Sequence, residues 1–593
     1  MKMKRILFIL FFALTTLMAL HAQAPTALWG KAVETAKFTA GSDLCLGTDC
    51  SLYVVGNANT RTEEEYIRMG ADNLAPGSLY RGTNTNASVG AIYLSKLSRN
   101  GQPLWTVYTR DADAMSNSLF VQPTADGVVA FVGLRHVEKG ATHSPYFTDA
   151  KGRQVSLEWT LEADDSPRYY MTVVLKVSHD GEIQWLRKVV ADHAPQPAAT
   201  SSTAKKVTAQ GIWPNAFTQD AAGHLYLGCR QTTELTLQRS DGSTVRIAPR
   251  HVEGWNGTST AGDLTVIKLD REGYYMNCLQ TEGDVSLVNL STMTHHQGRL
   301  YIAGYIVPTA EKRQVTIGGQ TMTLANDYAT PFVASVKCSD LAAEWAQAYT
   351  AQKSGFTLQT PRLMAANGHL WWAGMGSLSL TTKSGKTLEI GENMNRVATL
   401  LQFDLNNGDL LDGYLKPLFQ TGYFALMTDE AGSIYAAGYA GVLSSSSNPN
   451  KRATAGGLYI DRFNPAALAA PVSAWDDMIQ NAGAGTTMVW DRQGRLFTLT
   501  RSQSNDNALT GGSLKVAQTG TSFAANICAF QLPVRPMPLA GDANGDGIVS
   551  LHDILAIADS MQGKAPATFD AQAADVNGDG RVDVSDIVRL VAN

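Results

Sequence analysis

The sequence predicts an all-β fold, a seven-bladed β-propeller, followed by a small helical module at the C-terminus. Three features of the chain indicate this fold. A short glycine–apolar–aromatic run recurs seven times, and the two ends of this array look like the two halves of the seventh accompanying hairpin. An acidic twelve-residue loop then occurs twice near the C-terminus.

The recurring run combines a turn-forming residue, an apolar stretch with an aromatic residue, and often a terminal glycine. Its seven copies begin at Cys50, Gly127, Gly223, Gly298, Gly368, Gly432 and Gly494. Repetition at such a period indicates one supersecondary unit used many times. Apolar strands joined by Asn-Gly or Asp-Gly, as at Asn100-Gly101 and Asp180-Gly181, accompany the runs and predict β-hairpins.

The seventh hairpin is divided between the two ends of the array. Residues 525–532 provide an apolar strand, and residues 27–33 provide a strand that contains Trp29. Since a closed ring pairs its terminal strands and leaves no open sheet edge, this division predicts closure by strands from both termini. The units are longer than a blade of about 40–50 residues. We expect the surplus, as in 315–324 and 378–390, to form hairpins that project from the ring.

The repeat resembles the bacterial SBBP-type β-propeller family over most of residues 27–533. It combines a Gly-x-Tyr-Val-x-Gly strand, an insertion with Ile317-Gly318-Gly319, an apolar strand before Lys, and then Gly and Trp. The resemblance implies a repeat propeller without general catalytic residues.

The two C-terminal loops have the spacing of calcium-binding loops. Oxygen-bearing side chains occupy positions 1, 3, 5, 9 and 12, Gly occupies position 6, and position 7 provides a backbone carbonyl. The candidate ligands of the first ion are Asp542, Asn544, Asp546, Ile548, Ser550 and Asp553, and those of the second are Asp575, Asn577, Asp579, Arg581, Asp583 and Asp586. We expect two Ca²⁺ ions, with tighter binding at the second loop because it has more carboxylates. Apolar residues at helical spacing predict a helix after each loop.

Aspartate at position 12, the pairing of the loops and their place at the C-terminus resemble a dockerin module. The resemblance implies a cohesin-like partner and recognition through Leu551-His552 and Val584-Ser585. Because these two pairs differ, interchangeable docking of the two halves is not expected. A module that only caps its own chain remains an alternative.

The N-terminus has the pattern of a secretory signal peptide. Basic residues precede an apolar run, and small residues follow at Ala22 and Ala24. The predicted organisation is a signal peptide at 1–22, the propeller at 23–533, a proline-rich linker at 534–540 and the calcium module at 541–593. We therefore expect a secreted protein with no membrane span after signal removal. Cys45 and Cys50 are close enough in sequence to form a small bridged loop.

Charge and motifs limit the functional classes. The net charge is −5 and is concentrated in the C-terminal module, so nothing indicates a nucleic-acid partner. No local motif predicts catalysis, and we expect a non-catalytic binding or scaffold protein whose propeller displays a protein- or glycan-binding surface. The alternative is a polysaccharide-active hydrolase or lyase whose carboxylates converge from distant blades.

Three weaker features leave further alternatives open. Periodic tryptophans could indicate a quinone-dependent propeller, although packing between blades explains them more simply. His295-His296 is interpreted as loop surface, and Glu63-Glu64-Glu65 as a solvated run. Trp371 and Trp372 must point to opposite faces of a strand, so one of them could line a sugar-binding surface.

Overall fold

The fold was analysed in a computed structural model of the chain. It describes residues 25–35, 38–59, 66–76, 90–136, 144–158, 170–191, 212–231, 234–250, 263–283, 285, 287–308, 313–325, 328–350, 359–376, 379–389, 397–418, 421–429, 432–440, 457–480, 482–491, 494–502, 506–509, 515–517, 524–532, 540–544, 549, 551–566, 569–577 and 580–592. The predicted signal peptide and most of the linker lie outside these residues. Strands dominate up to residue 532, and the described helices all follow it.

Seven sheets share a core of four antiparallel strands, and we number them along the chain. Sheet 1 contains Phe38–Leu46, Leu52–Asn59, Ala91–Leu97 and Pro103–Arg110, and sheet 2 contains Ala112–Thr124, Gly127–His136, Tyr170–Ser178 and Ile183–Ala191. Sheet 3 contains Ile212–Gln219, Leu225–Gln231, Asp263–Leu269 and Tyr275–Gln280, and sheet 4 contains Leu287–His296, Arg299–Val307, Thr330–Lys337 and Ala343–Ala348. Sheet 5 contains Gln359–Ala366, His369–Gly376, Val397–Asp404 and Leu410–Leu415. Sheet 6 contains Thr421–Thr428, Ile434–Ala440, Gly457–Phe463 and Ser473–Gln480. Sheet 7 contains Ala482–Trp490, Arg495–Ser502, Ala524–Gln531 and Thr26–Glu34.

Sheet 7 combines strands from both ends of the array. Thr26–Glu34 lies antiparallel to Ala524–Gln531, with Thr26 opposite Gln531 and Val33 opposite Ala525. In the other six sheets, the four strands follow one another in sequence. The strand nearest the N-terminus therefore completes a sheet whose other three strands come from the far end of the array.

The first strand of each four-stranded core, here called the inner strand, contacts the inner strands of the neighbouring sheets. These contacts run from sheet 1 through sheet 7, and the inner strand of sheet 7 in turn contacts that of sheet 1. A cluster of buried apolar side chains lies between each sheet and the next, including one between sheets 7 and 1. The hydrophobic core is thus divided into layers between facing sheets.

Insertions between the second and third strands extend neighbouring sheets. The insertion of sheet 1, Ile67–Met69 with Asp72–Ala75, pairs with the fourth strand of sheet 7. The insertion of sheet 2, Tyr146–Thr148 with Gln154–Ser156, pairs with the fourth strand of sheet 1. The insertion of sheet 3, Leu235–Gln238 with Thr244–Ile247, pairs with the fourth strand of sheet 2. The remaining small sheets are Glu282–Gly283 with Gln314–Ile317 and Gln320–Thr323, Ser379–Thr381 with Thr387–Glu389, and Asp506–Ala508 with Lys515–Ala517. The hairpins predicted at 315–324 and 378–390 are present. The expectation that such hairpins project is wrong for both, because Val315 and Ile317 of the first and Leu380 and Leu388 of the second are buried against the sheets.

The terminal glycine of the repeat lies opposite a bulge. Every inner strand has an irregular register at an equivalent place, such as Leu290 to Thr292 in sheet 4, where Ser291 is the extra residue. Gly304 pairs at this point, and a Cβ there would overlap the carbonyl oxygen of Asn289. Gly56 and Gly438 meet inner-strand carbonyls in the same way. The close approach of the two backbones therefore explains why the run ends in glycine.

Replacing Gly304 by alanine should destabilise the fold strongly. We expect Gly304→Ala to lower the free energy of unfolding by about 3 kcal/mol, because the added methyl group has no space beside the bulge. Gly298 lies in a turn of the same sheet, where an added Cβ would meet no atom within 4 Å. Because its φ is +75°, Gly298→Ala places an alanine in a left-handed conformation and should lower the free energy of unfolding by about 1–2 kcal/mol. Urea titration of both variants measures the difference. Equal losses would contradict the steric explanation.

Tryptophans from one sheet pack on turn glycines of the next. The four pairs are Trp29 with Gly101, Trp105 with Gly181, Trp185 with Gly273, and Trp345 with Gly408. These glycines have φ between +77° and +82°, a backbone conformation that favours glycine in a tight turn. The Trp105 indole N–H donates to the carbonyl of His179 at 2.8 Å. Packing between sheets therefore accounts for these periodic tryptophans.

The C-terminal module contains the helices α1 (Leu551–Met561), α2 (Ala571–Ala574) and α3 (Val584–Ala592). The helices predicted after each acidic loop are thus confirmed. Among the described residues, no helix combines the length and apolar character needed to cross a bilayer. Cys45 and Cys50 are free thiols, so the bridge that their spacing permits is not formed.

Candidate calcium module and central cavity

The position-12 aspartates close both acidic loops in the same way. Asp553 and Asp586 lie in the first turns of α1 and α3, and both are fully buried. One carboxylate oxygen of Asp553 accepts the N–H of Asn544 at 3.1 Å, and Asp586 accepts the N–H of Asn577 at 3.1 Å. Each helix therefore holds a carboxylate against position 3 of its own loop.

Further oxygens order the second loop. Asp575 accepts the N–H of Gly580 at 2.8 Å, and Asp586 accepts the N–H of Asp583 at 2.9 Å. Asp583 accepts both the N–H and the hydroxyl of Ser585, and these hydrogen bonds lower the pKa of Asp583. The lowered pKa of Asp583 favours its ionised form, the form that binds a cation.

The described residues include eight of the twelve predicted ligands. Asp546, Ile548, Ser550 and Asp579 lie outside the described residues. Within the described ranges, no three acidic, His or Cys side chains are grouped to hold a metal. The donor chemistry nevertheless fits Ca²⁺, because the ligand set is all oxygen and includes the buried carboxylates of Asp553 and Asp586. The twelve-ligand assignment stays a prediction.

The module has a small core and a large exposed apolar face. Ala543, Ala556, Ile557 and Ala574 form the buried cluster. In contrast, Leu551 and Leu555 on α1 are 68% and 53% exposed. Val584, Val588 and Val591 on α3 are also exposed. The apolar spacing thus predicted the helices correctly, but several of the apolar side chains are exposed and not part of a core. These exposed side chains are here called the apolar face (Leu551, Leu555, Val584, Val588 and Val591).

The recognition positions implied by the sequence are all exposed, and two of them, Leu551 and Val584, belong to the apolar face. Leu551 and His552 are exposed at the start of α1, and Val584 and Ser585 are exposed at the start of α3. Positions 1 and 5 of both helices are apolar, although the second residue of each pair differs. Single exposed apolar residues are ordinary on protein surfaces. Five of them on two short helices of one small module expose more apolar area than is usual, and large exposed apolar patches mark interaction sites.

A cavity of about 230 Å³ lies among the inner strands of sheets 1 to 5. Its polar lining includes Asp43, Gln122, Asn215, Ser291, Thr294 and Arg362. Asp43 accepts the N–H of Val121 at 3.0 Å, and so links sheets 1 and 2. Burial raises the pKa of Asp43, and the Arg362 guanidinium opposes this rise in part.

Sequence reasoning did not identify this cavity. Asp43 and Arg362 are the first residues after the bulges of their inner strands, and the bulges have no simple sequence signal. Asp43 is the one carboxylate among the described lining residues. The pair of carboxylates that glycoside hydrolysis ordinarily requires is therefore not assembled by that lining.

The other sequence candidates have structural surroundings. Trp371 and Trp372 are both buried, in the layers on opposite sides of sheet 5, so neither offers a sugar-binding surface. His295 is partly buried and accepts the N–H of Gly298 at 3.2 Å. Burial lowers its pKa. Glu63, Glu64 and Glu65 lie outside the described residues.

Several solved structures share partial similarity with this chain. One is a protein of unknown function from Dyadobacter fermentans DSM 18053, with 10% identity, 71% of this chain and 98% of that chain covered, and a TM-score of 0.35. Another is the polysaccharide lyase Uly1, with 11% identity, coverage of 83% and 90%, and a TM-score of 0.35. A third is the quinohemoprotein alcohol dehydrogenase from Comamonas testosteroni, with 11% identity, coverage of 93% and 82%, and a TM-score of 0.37. At such TM-scores these similarities support no functional conclusion.

Sequence comparison is informative for the C-terminal module. No curated protein matches the chain. Residues 540–593, however, match the model of the Dockerin type I domain. Dockerin type I domains bind calcium, in agreement with the loop spacing. The C-terminal segment that carries the two acidic loops and the apolar face is thus a dockerin type I domain.

Proposed function

We propose that this chain is a secreted, non-catalytic scaffold or binding protein that a C-terminal dockerin attaches to a cohesin-like partner. Residues 1–22 would be the signal peptide, 23–533 a closed seven-bladed propeller of the SBBP-like repeat type, 534–540 a linker, and 541–593 the calcium module. The module would bind two Ca²⁺ ions through the twelve ligands named above. The observation that carries the proposal is the apolar face of the dockerin.

The order of the sheets supports a closed propeller. Inner strands contact their neighbours in one continuous succession, and Thr26–Glu34 pairs with Ala524–Gln531. The insertion of sheet 1 extends sheet 7, just as the insertion of sheet 2 extends sheet 1. Trp29 of sheet 7 packs on Gly101 of sheet 1, as the other tryptophans do on their neighbours. Sheets 7 and 1 thus interact like any other adjacent pair.

The chemistry of the apolar face supports docking to a protein. Its five aliphatic side chains come from the two helices that directly follow the calcium loops. Calcium would fix the start of each helix, and therefore the distance between the two rows of side chains. A partner with an apolar surface rimmed by polar groups would bury this face. Binding of that kind should depend on calcium.

Replacing Leu555 by aspartate should weaken docking strongly. We expect Leu555→Asp to weaken binding to a type I cohesin by at least about 30-fold, since a hot-spot contact in an interface is worth about 2 kcal/mol or more. Surface plasmon resonance of the full chain with calcium measures this change. Leu104→Asp is the matched control, because Leu104 is also 53% exposed but lies in sheet 1. Equal binding by both variants would contradict the proposed face.

A further inference from the structure

The central cavity has the polar and charged lining of a ligand site. Its described lining is polar on several strands, and it contains one acidic and one basic side chain. Its volume of about 230 Å³ equals that of several water molecules and is smaller than a pocket for a drug-sized ligand. It could hold a molecule of about the size of a free amino acid.

The two charged side chains occupy equivalent places on separate strands. Asp43 follows the bulge in sheet 1 and Arg362 follows the bulge in sheet 5, which are the first and last sheets that line the cavity. At the same position, the other inner strands have Leu119, Ala216, Thr292, Ala425 and Thr487. Of the seven equivalent positions after the bulges, those of Asp43 and Arg362 thus have charged side chains and the other five have neutral ones.

Asp43 and Arg362 both line the cavity, and no ion pair joins them among the described residues. Asp43 is held in place by the Val121 N–H, which donates to its carboxylate at 3.0 Å. The cavity therefore presents a fixed carboxylate on one strand and, on another, a guanidinium whose planar donors suit a second carboxylate.

We infer that the central cavity binds a small zwitterion, a free α-amino acid, with its ammonium group at Asp43 and its carboxylate at Arg362. This inference adds a ligand to the proposed binding function of the propeller and rests on that proposal. A simple anion would be repelled by Asp43, and a simple cation would be repelled by Arg362. Hydroxyl and amide groups of Ser291, Thr294 and Asn215 would meet the polar side of the ligand.

The test begins with the calcium-loaded full chain and the twenty free L-amino acids, screened by thermal shift and then by calorimetry. We expect at least one to bind. Its N-acetyl derivative lacks the ammonium group and its amide lacks the carboxylate, so each should bind at least about tenfold more weakly. Binding by none of the amino acids, equal binding of the N-acetyl derivative, or binding of glucose alone would overturn the inference.

Charge variants assign the two ends of the ligand. Asp43→Asn and Arg362→Gln should each weaken the free amino acid at least about tenfold. Asp43→Asn should strengthen the residual binding of the N-acetyl derivative, because that derivative is an anion that Asp43 repels. Arg362→Gln should strengthen the residual binding of the amide, because the amide is a cation that Arg362 repels. Arg362→Lys should recover part of the affinity, since it restores charge without the planar fork. Lys337→Gln, in an exposed ion pair with Asp340, is the control for altered surface charge.

Structural and binding roles are separable in this design. If Asp43 only links inner strands, Asp43→Asn lowers the melting temperature while Arg362→Gln has no effect on any ligand, and the inference fails. Cohesin binding and calcium binding belong to the C-terminal module and are measured independently. Their retention beside an inactive cavity would therefore reject the zwitterion site and leave the attachment function intact.

Discussion

Removal of calcium should unfold the C-terminal module while the sheets remain folded. The module has only a small buried cluster, Ala543, Ala556, Ile557 and Ala574, and domains of this size rarely have enough apolar burial to be stable alone. Calcium at a thousandfold excess over its Kd stabilises a one-site fold by about 4 kcal/mol. Two sites would provide about twice that amount, so their loss should exceed the stability of the module.

The measurement is calorimetry and far-UV circular dichroism of the full chain, with calcium and then with EGTA. All described helices lie in the module, so loss of the helical signal at unchanged β signal reports on this part of the chain. Calcium in excess of the chelator should restore the signal, and magnesium at the same concentration should not. A helical signal that survives chelation would show that the loops do not stabilise the module.

The two loops can be compared by one pair of variants. Asp553→Ala and Asp586→Ala remove the equivalent buried carboxylate from each loop. Each should eliminate one high-affinity ion in calcium titrations. The second loop has four carboxylates among its candidate ligands and the first has three. We therefore expect the ion that is lost in Asp586→Ala to be the tighter one.

Local sequence signals predicted the strands, the turns and the acidic loops. Asp180-Gly181 predicted a turn, and Gly181 indeed donates its N–H to Ser178 at 3.0 Å with φ +82°. The twelve-residue loops predicted the helices that follow them. These features depend on residues close in sequence, where turn chemistry and periodicity leave few alternatives.

Features that depend on distant strands could not be predicted in the same way. The terminal glycine of the repeat was visible as a pattern, but its reason, a bulge in another strand, was not. Asp43 and Arg362 are 319 positions apart and meet only because their inner strands line one cavity. Likewise, helical spacing does not distinguish the buried Ile557 from the exposed Leu555.

A buried ion pair between sheets 5 and 6 is the place where one substitution should cost most in the β-sheet region. Lys416, just after the last strand of sheet 5, contacts Asp461 of sheet 6 at 2.6 Å. Asp461 is fully buried, and it also accepts the hydroxyl of Tyr423 at 2.5 Å. The Lys416 ammonium lies 4.4 Å from the centre of the Tyr459 ring. The carboxylate thus has one cation to balance its charge in an aromatic environment.

Lys416→Met should lower the free energy of unfolding by about 3–5 kcal/mol, because it leaves the Asp461 carboxylate buried without a cation. Lys416→Met combined with Asp461→Asn should recover much of this loss, since the remaining amide is neutral and can still accept from Tyr423. Lys337→Met is the control: its ion pair with Asp340 is 3.2 Å long and exposed, and such pairs contribute at most about 1 kcal/mol. Urea titrations followed by tryptophan fluorescence compare the three variants.

The pH dependence of the same variants separates charge from packing. Burial raises the pKa of Asp461 in the folded protein, and Lys416 opposes this rise in part. A carboxyl group with a raised pKa favours the folded state below its unfolded pKa of about 4, and this contribution is lost as pH rises through the folded pKa. Without Lys416 the folded pKa rises further, so the deficit of Lys416→Met should shrink as the pH is lowered from 7 towards 4. A deficit that is independent of pH would assign the role of Lys416 to packing of its aliphatic chain instead of to its charge.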